Sequence, residues 1–254
     1  MTALSVIIPC YNEEENLKRG VLEEVDQYFK TAKYPYEVLI CNDKSTDNSL
    51  KIAQRFAKSH PKFKVLDLPK GGKPGALWGG LQQAKYPLVL FTDMDQSTPI
   101  TEIEKLLPYY SKKYDIVIGS RGGERSGFNF IRVLGSKTFT FFRKLLLKSK
   151  IDDTQCGFKS MKTDVAKTIF PRLDVIKNIQ SGQGWRVSAY DVEMLFIADK
   201  MGYKIKEVPV LWQDEDVSTT KGDATAKYFK ESKRMAAEVW RVFTNNLQGL
   251  YEKK

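Results

Sequence analysis

The strongest constraint on the fold is the order of segments in the first half of the chain. Five short apolar runs alternate with helical patterns, and each run ends in a turn rich in polar, acidic or glycine residues. This order is typical of repeated βα units, in which parallel strands form one sheet covered by helices. The predicted strands are residues 4–9, 36–41, 63–68, 87–92 and 115–119, with helices at 13–30, from about 46 onward, and at 74–84.

The second half of the chain breaks this rhythm. Its patterns predict helices at 128–148 and 191–201, strands at 157–161 and 203–212, and a final amphipathic helix over about 225–245. No linker rich in proline, glycine or serine interrupts the chain, so we expect one continuous domain over 1–254. The predicted class is α/β, with a mostly parallel central sheet flanked by helices and amphipathic helices after the fifth strand and at the C-terminus.

The charge predicts an anionic partner. Forty-one Lys and Arg residues face 31 Asp and Glu residues, which gives a net charge of +10. Such an excess favours nucleic acid, an acidic membrane surface or phosphorylated substrates, although it also serves general solubility. The excess is concentrated between residues 121 and 150, where eight basic residues stand against Glu124 alone.

Several classes of protein are disfavoured by composition. No apolar run approaches the roughly 20 residues of a membrane-spanning helix, and the N-terminus lacks the features of a secretory signal. Cys10, Cys41 and Cys156 are too few and too widely spaced for a disulfide framework, which suits a reducing cytosol. The single histidine, His60, disfavours a zinc site or a histidine-based triad.

Acidic residues follow the fourth predicted strand. Asp93 and Asp95 stand directly after it, and ligands of open α/β sheets bind beyond the carboxyl ends of strands. Two carboxylates in such a turn can bind one hard cation, and magnesium commonly bridges one or two carboxylates to substrate phosphates. A solvated turn is the alternative interpretation of this short motif.

Three other strand ends converge on the same edge of the sheet. They are residues 9–13, 42–47 and 71–75, which supply an aromatic ring, carboxylates and a basic glycine-rich turn. Together these groups could hold a base, a ribose and a diphosphate. Each has a structural alternative, a helix cap or a tight turn. Neither a P-loop nor a GxGxxG motif is present.

These motifs resemble those of the inverting family-2 glycosyltransferases, which have a GT-A fold. The later segments 118–121, 153–159, 190–193 and 207–210 resemble the polyprenyl-phosphate (dolichyl-phosphate) sugar synthases, with TQCGFK and DVE most like the dolichyl-phosphate β-glucosyltransferase branch. The resemblance covers about residues 4–215. It implies a nucleotide-sugar-binding half at 1–120, an acceptor half at 121–220 and a C-terminal amphipathic helix at 221–254.

The resemblance also implies roles for individual residues. Arg132 and Ser136, four residues apart on a predicted helix, would meet the acceptor phosphate from one helix face. Position 44, commonly glycine, is Lys44, which leaves the turn geometry open. Mannosyl relatives use a glutamine ligand at the position of Ser97, so ligands beyond the acid pair, including Gln96, are left open. The implied residues are Pro9, Tyr11, Glu13 and Asp43 for the nucleoside, Asp93 and Asp95 for ribose and Mg²⁺ or Mn²⁺, Lys73 and Lys159 for substrate, and Asp95, Arg121, Arg132 and Ser136 for catalysis.

The implied reaction is inverting transfer of a hexose to a polyprenyl or dolichyl phosphate at the cytoplasmic membrane face. Glucose from UDP-glucose is the expected donor sugar. A phosphate monoester with a second pKa near 6 needs no general base, so the lack of a usable histidine is expected. The basic aromatic segment 128–148 and the C-terminal stretch with Trp240, Val242 and Phe243 are predicted to contact the membrane peripherally, with packing into the core as the alternative.

Other functions stay open to different degrees. The same fold could use GDP-mannose, another UDP-sugar or a soluble acceptor. A nucleic-acid-binding protein using the 121–150 patch would leave the acids at the strand ends unexplained, and a degenerate sugar-nucleotide sensor would not need Asp93, Asp95, Arg121 and Arg132. The identity of the sugar, the lipid length, the preferred metal and the oligomeric state are not fixed by these motifs.

Overall fold

The computed structural model describes residues 3–122, 144–147, 150–180, 189–213 and 224–251, with side chains of the last helix described from residue 235 onward. Seven strands in the described part of the chain form one sheet in the order β3-β2-β1-β4-β6-β5-β7. The strands are β1 Leu4–Cys10, β2 Tyr36–Asn42, β3 Phe63–Asp67, β4 Leu88–Phe91, β5 Ile116–Ser120, β6 Lys159–Lys162 and β7 Ile205–Pro209. All neighbouring strands are parallel except where β6 pairs with β4 and β5. The predicted α/β class is confirmed.

Helices cover both faces of this sheet. Short 3₁₀ turns at Ile100–Glu102 and Phe170–Arg172 join some of them, and residues 144–147 are also helical. The helices are α1 Glu14–Lys18, α2 Val21–Thr31, α3 Ser49–Ser59, α4 Gly72–Gln83, α5 Ile103–Leu106, α6 Pro108–Ser111, α7 Thr163–Ile169, α8 Asp174–Gln180, α9 Tyr190–Lys200 and α10 Ala224–Leu247.

The first strand shows how the sheet divides the core. Ile7 faces the cluster that contains residues of α4 and α9, whereas Val6 and Ile8 face the cluster that contains residues of α2. These side chains are fully buried, because a parallel strand covered on both faces has no solvent side. Each such burial stabilises the fold by about 1.5–3 kcal/mol, and the central strands are therefore rigid supports for the loops that follow them.

Several predicted boundaries are wrong for local reasons. The helix expected over 13–30 is two helices, because Gly20 adopts φ +94° between α1 and α2, a conformation that only glycine takes freely. The helix expected from about 46 begins at Ser49, whose backbone N–H donates to the Asp47 carboxylate at 2.9 Å. The strand expected at 203–212 covers only Ile205–Pro209, and the one expected at 157–161 is Lys159–Lys162.

The amphipathic segments are described only in part. The final helix is confirmed as Ala224–Leu247, whereas the helix expected over 128–148 lies outside the described residues apart from the helical residues 144–147. Among the helices that the structure describes, none combines the length and apolar character needed to cross a bilayer.

One edge of the sheet gathers the motifs. The parallel strands β1, β2, β3 and β4 end there. Strand β5 runs in the same direction as β4, because both pair antiparallel with β6. His60 precedes β3 and so lies at the opposite edge, where its ring stacks on Phe56. Any chemistry at the carboxyl edge therefore proceeds without this histidine.

Candidate active site

Asp93 lies where cations from several elements meet. It follows β4, and its Oδ1 is 2.5 Å from Nζ of Lys73 in the first turn of α4. Desolvation alone would raise the pKa of the Asp93 carboxyl, but Lys73, Lys159 and Arg121 outweigh it and hold that pKa below the ordinary value. Desolvation would likewise lower the pKa of Lys73, but Asp93, Asp191 and Asp95 raise it. Both groups are therefore charged at neutral pH.

Gly157 makes room for this carboxylate. A Cβ atom at that position would stand 1.9 Å from Oδ2 of Asp93, far inside van der Waals contact. The three nearest atoms all belong to the Asp93 carboxylate, so a side chain at position 157 would displace it. The glycine of the TQCGFK motif therefore serves the position of the first acid.

The turn after Asp93 is held by its own side chains. Gln96 adopts a left-handed φ of +51°, and its amide Nε2 donates to the Asp93 carbonyl at 2.8 Å. Oδ1 of Asp95 accepts the Ser97 N–H at 2.8 Å, and Arg19 donates to the Asp95 carbonyl. The Gln96 amide nitrogen thus stabilises the turn.

The two acids fit a divalent cation whose remaining ligands would come from substrate and water. Asp93 and Asp95 supply hard carboxylate oxygens from one turn, and the described residues contain no group of three or more His, Cys, Asp or Glu side chains arranged to hold a metal. Magnesium-type ions are commonly held by one or two carboxylates together with phosphate oxygens and water. The donor set matches that pattern, with the remaining ligands left to substrate and solvent.

Arg121 is fixed at the end of β5. Its Nε and Nη2 donate to the two oxygens of Asp153 at 2.7 and 2.8 Å, a bidentate pair of the strong, planar kind. Glu207 on β7 orients this carboxylate by accepting the Asp153 N–H at 2.6 Å. Desolvation opposes the charge of Asp153, but Arg121 outweighs it and lowers the pKa of Asp153 to about 2. The Nη1 group lies outside this bidentate pair.

A second ion pair lies beneath Asp93. Lys159 of β6 is only 1% exposed, and its Nζ is 2.6 Å from Oδ1 of Asp191 and donates to the Cys156 carbonyl. Burial, followed by the charges of Asp191 and Asp93, raises the pKa of the Tyr190 phenol well above its usual value, so this hydroxyl stays protonated. Lys159 and Asp191 thus form a largely buried ion pair below the acid turn, next to a neutral Tyr190 hydroxyl.

The ends of β1 and β2 bring an aromatic ring and an acid together. Nζ of Lys70 lies over the exposed ring of Tyr11 and 2.9 Å from Oδ2 of Asp43, whose Oδ1 accepts the Gly71 N–H at 2.6 Å. Lys44 adopts φ +59°, the left-handed conformation that glycine favours. Lys70 thus links the Tyr11 ring and the Asp43 carboxylate at the ends of these two strands.

The remaining predicted residues differ in how they are placed. Pro9 pairs in register with Cys41 inside the sheet, and the Glu13 carboxylate accepts the Asn16 amide at 2.6 Å at the start of α1. Arg132 and Ser136 lie outside the described residues. The three cysteines are free and buried. Burial raises the pKa of Cys10 to about 12, so its thiol is not an ionised nucleophile at neutral pH.

Three residues that contact the site were not predicted from the sequence. Asp153 orients Arg121, Asp191 neutralises Lys159, and Gly157 accommodates Asp93. All three lie in the quoted motifs 153–159 and 190–193, but their partners are 32 to 64 positions away in the chain. A motif shows which residues are special, whereas only the sheet order shows what each one touches.

Known proteins resemble this chain in sequence. The model of the family described as Glycosyl transferase family 2 matches residues 5–170. A dolichyl-phosphate beta-glucosyltransferase of Trichomonas vaginalis is 30% identical over 82% of this chain and 63% of that protein. Another, of Drosophila melanogaster, is 32% identical over 85% of this chain and 68% of that protein. The chain thus spans under two thirds of the first relative.

Solved structures show the same architecture. Glucosyl-3-phosphoglycerate synthase of Mycobacterium tuberculosis, solved with Mn²⁺, UDP-glucose and phosphoglyceric acid, superposes with a TM-score of 0.63 at 13% identity, over 95% of this chain and 80% of that one. This likeness shows the shared GT-A fold. With the family match across more than half of its length, the chain is a glycosyltransferase and belongs to family 2.

Proposed function

We propose that this chain transfers glucose from UDP-glucose to the phosphate of a polyprenyl phosphate of the dolichyl type, with inversion at the anomeric carbon. The relatives named above carry this acceptor and sugar in their names, and they match over 82% and 85% of the chain. The structural neighbour solved with UDP-glucose and Mn²⁺ has the same fold. Residues 1–120 would hold the donor, and 121–220 would hold the acceptor.

The observation that carries the proposal is the placement of cations on both sides of Asp93. Lys73 approaches it from α4, while Arg121 and Lys159 act on it from β5 and β6. A site that brings two phosphate groups together must offset their mutual repulsion. Positive charge on the donor side and again on the acceptor side meets that requirement.

On the donor side, each group has a distinct task. Tyr11 and Asp43 at the ends of β1 and β2 would hold the uracil base, and Lys73 would move from Asp93 to the diphosphate. Asp93 and Asp95 would hold a divalent cation, which, when bound, offsets the charge that develops on the leaving UDP. In this proposal Asp95 would be the firmer ligand of the two.

On the acceptor side, the proposed reaction requires no general base. A phosphate monoester is mostly dianionic at neutral pH and attacks without deprotonation. Arg121, held by Asp153, would orient it, together with Arg132 and Ser136. The lone His60 lies at the opposite edge of the sheet, which is consistent with this chemistry.

We also propose that the enzyme contacts the membrane peripherally. Trp240 and Leu247, seven positions apart on α10, form an exposed apolar stripe in which Trp240 is 58% accessible, and Leu250 just beyond the helix is exposed as well. Val242 and Phe243, by contrast, pack against the core, so only part of the predicted apolar surface is free. Aromatic and aliphatic side chains on a basic helix are suited to a lipid interface.

A donor panel tests the proposed reaction. Purified protein would be given UDP-glucose, GDP-mannose or UDP-N-acetylglucosamine with a short polyprenyl phosphate and Mg²⁺ or Mn²⁺. We expect a glucosyl lipid from UDP-glucose. Asp95→Asn should abolish most transfer because a neutral amide is a poor ligand for a hard cation, whereas the exposed control Asp199→Asn should not. Product from GDP-mannose alone would refute the choice of donor.

A further inference from the structure

The segment after β7 crosses the carboxyl edge of the sheet. The N–H of Val210 donates to the Ser120 carbonyl at 3.0 Å, that of Leu211 to Glu102 Oε2 at 2.9 Å, and that of Gln213 to the Ser97 carbonyl at 2.8 Å. Residues 210–213 therefore connect the end of β5, next to Arg121, to the turn that carries Asp95. The segment is anchored at both ends by backbone hydrogen bonds.

The middle of this segment carries apolar surface beside a charged group. The Trp212 ring lies under the Arg121 guanidinium, with the Arg121 Cζ 5.8 Å from the ring centroid. The adjacent Leu211 is 49% exposed although it lies next to the carboxyl edge of the sheet. Apolar surface in contact with water costs free energy, so the exposed Leu211 and the half-buried Trp212 beside Arg121 suit an apolar occupant.

The geometry points to a subsite for hydrocarbon. We propose that Trp212 and Leu211 bind the first isoprene unit of the acceptor while Arg121 binds its phosphate, so that these two residues select a lipid phosphate over a polar one. This inference rests on the proposed function. Among the residues that the structure describes, Asp153 engages Nε and Nη2 of Arg121, and the Nη1 group would bind the acceptor phosphate.

The chemistry of the acceptor requires apolar groups next to the site that binds its phosphate. In a prenyl phosphate the hydrocarbon begins one bond beyond the phosphate ester oxygen, so it must lie against whatever adjoins the phosphate site. An indole face and a leucine side chain would remove that hydrocarbon from water. A hydroxylated or carboxylated acceptor would instead lose hydration at the same surface without gaining hydrogen bonds.

Acceptor kinetics test this subsite. Farnesyl phosphate, butyl phosphate and glycerol 3-phosphate would be compared for wild type, Trp212→Ala, Trp212→Phe and Leu211→Ala at saturating UDP-glucose. Trp212→Ala should raise the KM for farnesyl phosphate about tenfold or more, with a smaller change for butyl phosphate and an unchanged KM for UDP-glucose. Trp212→Phe should recover most of the loss. The control is Tyr86→Ala, since Tyr86 also has a cation, Lys85, over its ring but lies before β4 at the opposite edge.

Binding supplies a readout that does not depend on folding of the alanine variant. Farnesyl phosphate added to the UDP complex should change the tryptophan emission of the wild type. Trp212→Phe should bind it with similar affinity by calorimetry but lose that emission change. An unchanged emission response in Trp212→Phe, or an unchanged farnesyl phosphate KM in Trp212→Ala, would overturn the inference while leaving the proposed function intact. Failure of the wild type to glucosylate any prenyl phosphate would overturn both.

Discussion

At the residue scale, the position of Asp93 depends on the absence of a side chain at Gly157. The β4–β6 pairing brings two segments more than 60 positions apart into contact, and the carboxylate lies where a Cβ of residue 157 would be. The sequence marks both residues as parts of motifs. It could not show that they touch, because that contact arises from the antiparallel insertion of β6 between two parallel strands.

We expect Gly157→Ala to be harmful only while Asp93 is present. The added methyl should displace the carboxylate and cost about 1–3 kcal/mol of unfolding free energy, as overpacking does. In Asp93→Ala the obstructing oxygens are gone, so adding Gly157→Ala should cost little more. Urea unfolding of the wild type, both single variants and the double variant measures this coupling. Additive losses would mean that Gly157 acts elsewhere.

The pH dependence of transfer should follow protonation of the acceptor phosphate and not of protein side chains. The pKa of Asp153 is lowered to about 2, and that of Asp93 lies below its ordinary value, so both stay ionised well into acid. The stability that Asp153 contributes is present above the unfolded-state pKa of about 4 and is lost only as pH falls toward 2. Transfer should instead decline below about pH 6, as the acceptor becomes a monoanion.

A pH profile of kcat/KM for farnesyl phosphate checks this expectation. His60→Gln should leave the profile unchanged, because His60 lies at the opposite edge of the sheet. A decline that disappears in His60→Gln, or that falls instead near the ordinary carboxyl pKa, would contradict the mechanism without a general base.

At the scale of elements, local patterns predicted strands better than helix ends. The five strands of the first half were confirmed because apolar runs buried on both faces have few alternatives. The break at Gly20 and the late start of α3 were missed, since each depends on one backbone conformation or one capping contact. The placement of β6 could not be predicted, because pairing order is a property of the whole sheet.

The last helix is joined to α9 by a buried carboxylate. Glu193 is fully buried and accepts from Arg241 Nη2 at 3.0 Å, from the Tyr251 hydroxyl at 2.6 Å and from the Asp174 N–H at 3.2 Å. Asp191, two residues earlier on α9, pairs with Lys159 below the acid turn. The attachment of α10 therefore supports the helix that borders the site.

Arg241→Ala should destabilise the fold strongly. It leaves the Glu193 carboxylate buried without its cation, a loss typically worth about 3–5 kcal/mol. Lys18→Ala, which removes exposed pairs with Glu14 and Glu15, should lower the free energy of unfolding far less, because water screens these pairs. Chemical denaturation distinguishes the two. Equal small losses would show that Glu193 is satisfied without Arg241.

At the scale of the whole molecule, the net charge of +10 and the exposed apolar stripe at the C-terminus suit an anionic lipid surface. We expect the protein to sediment with vesicles that contain phosphatidylserine, and less so at high salt. Replacing Trp240 and Leu247 together with serine should reduce vesicle binding while leaving the unfolding free energy nearly unchanged. Undiminished vesicle binding by this variant would remove the C-terminal stripe from the membrane contact.

In the proposed reaction glucose leaves the phosphate of UDP and is bonded to the phosphate of the acceptor, and the product itself tests this most directly. After incubation with UDP-glucose and farnesyl phosphate, ¹H and ³¹P nuclear magnetic resonance would identify the linked atoms and the anomeric configuration. The account predicts farnesyl β-glucosyl phosphate, a phosphodiester of farnesol and glucose, formed by inversion of the α-linked donor with release of UDP. An α-linked product, glucose attached to a hydroxyl group, or no farnesyl product would contradict it.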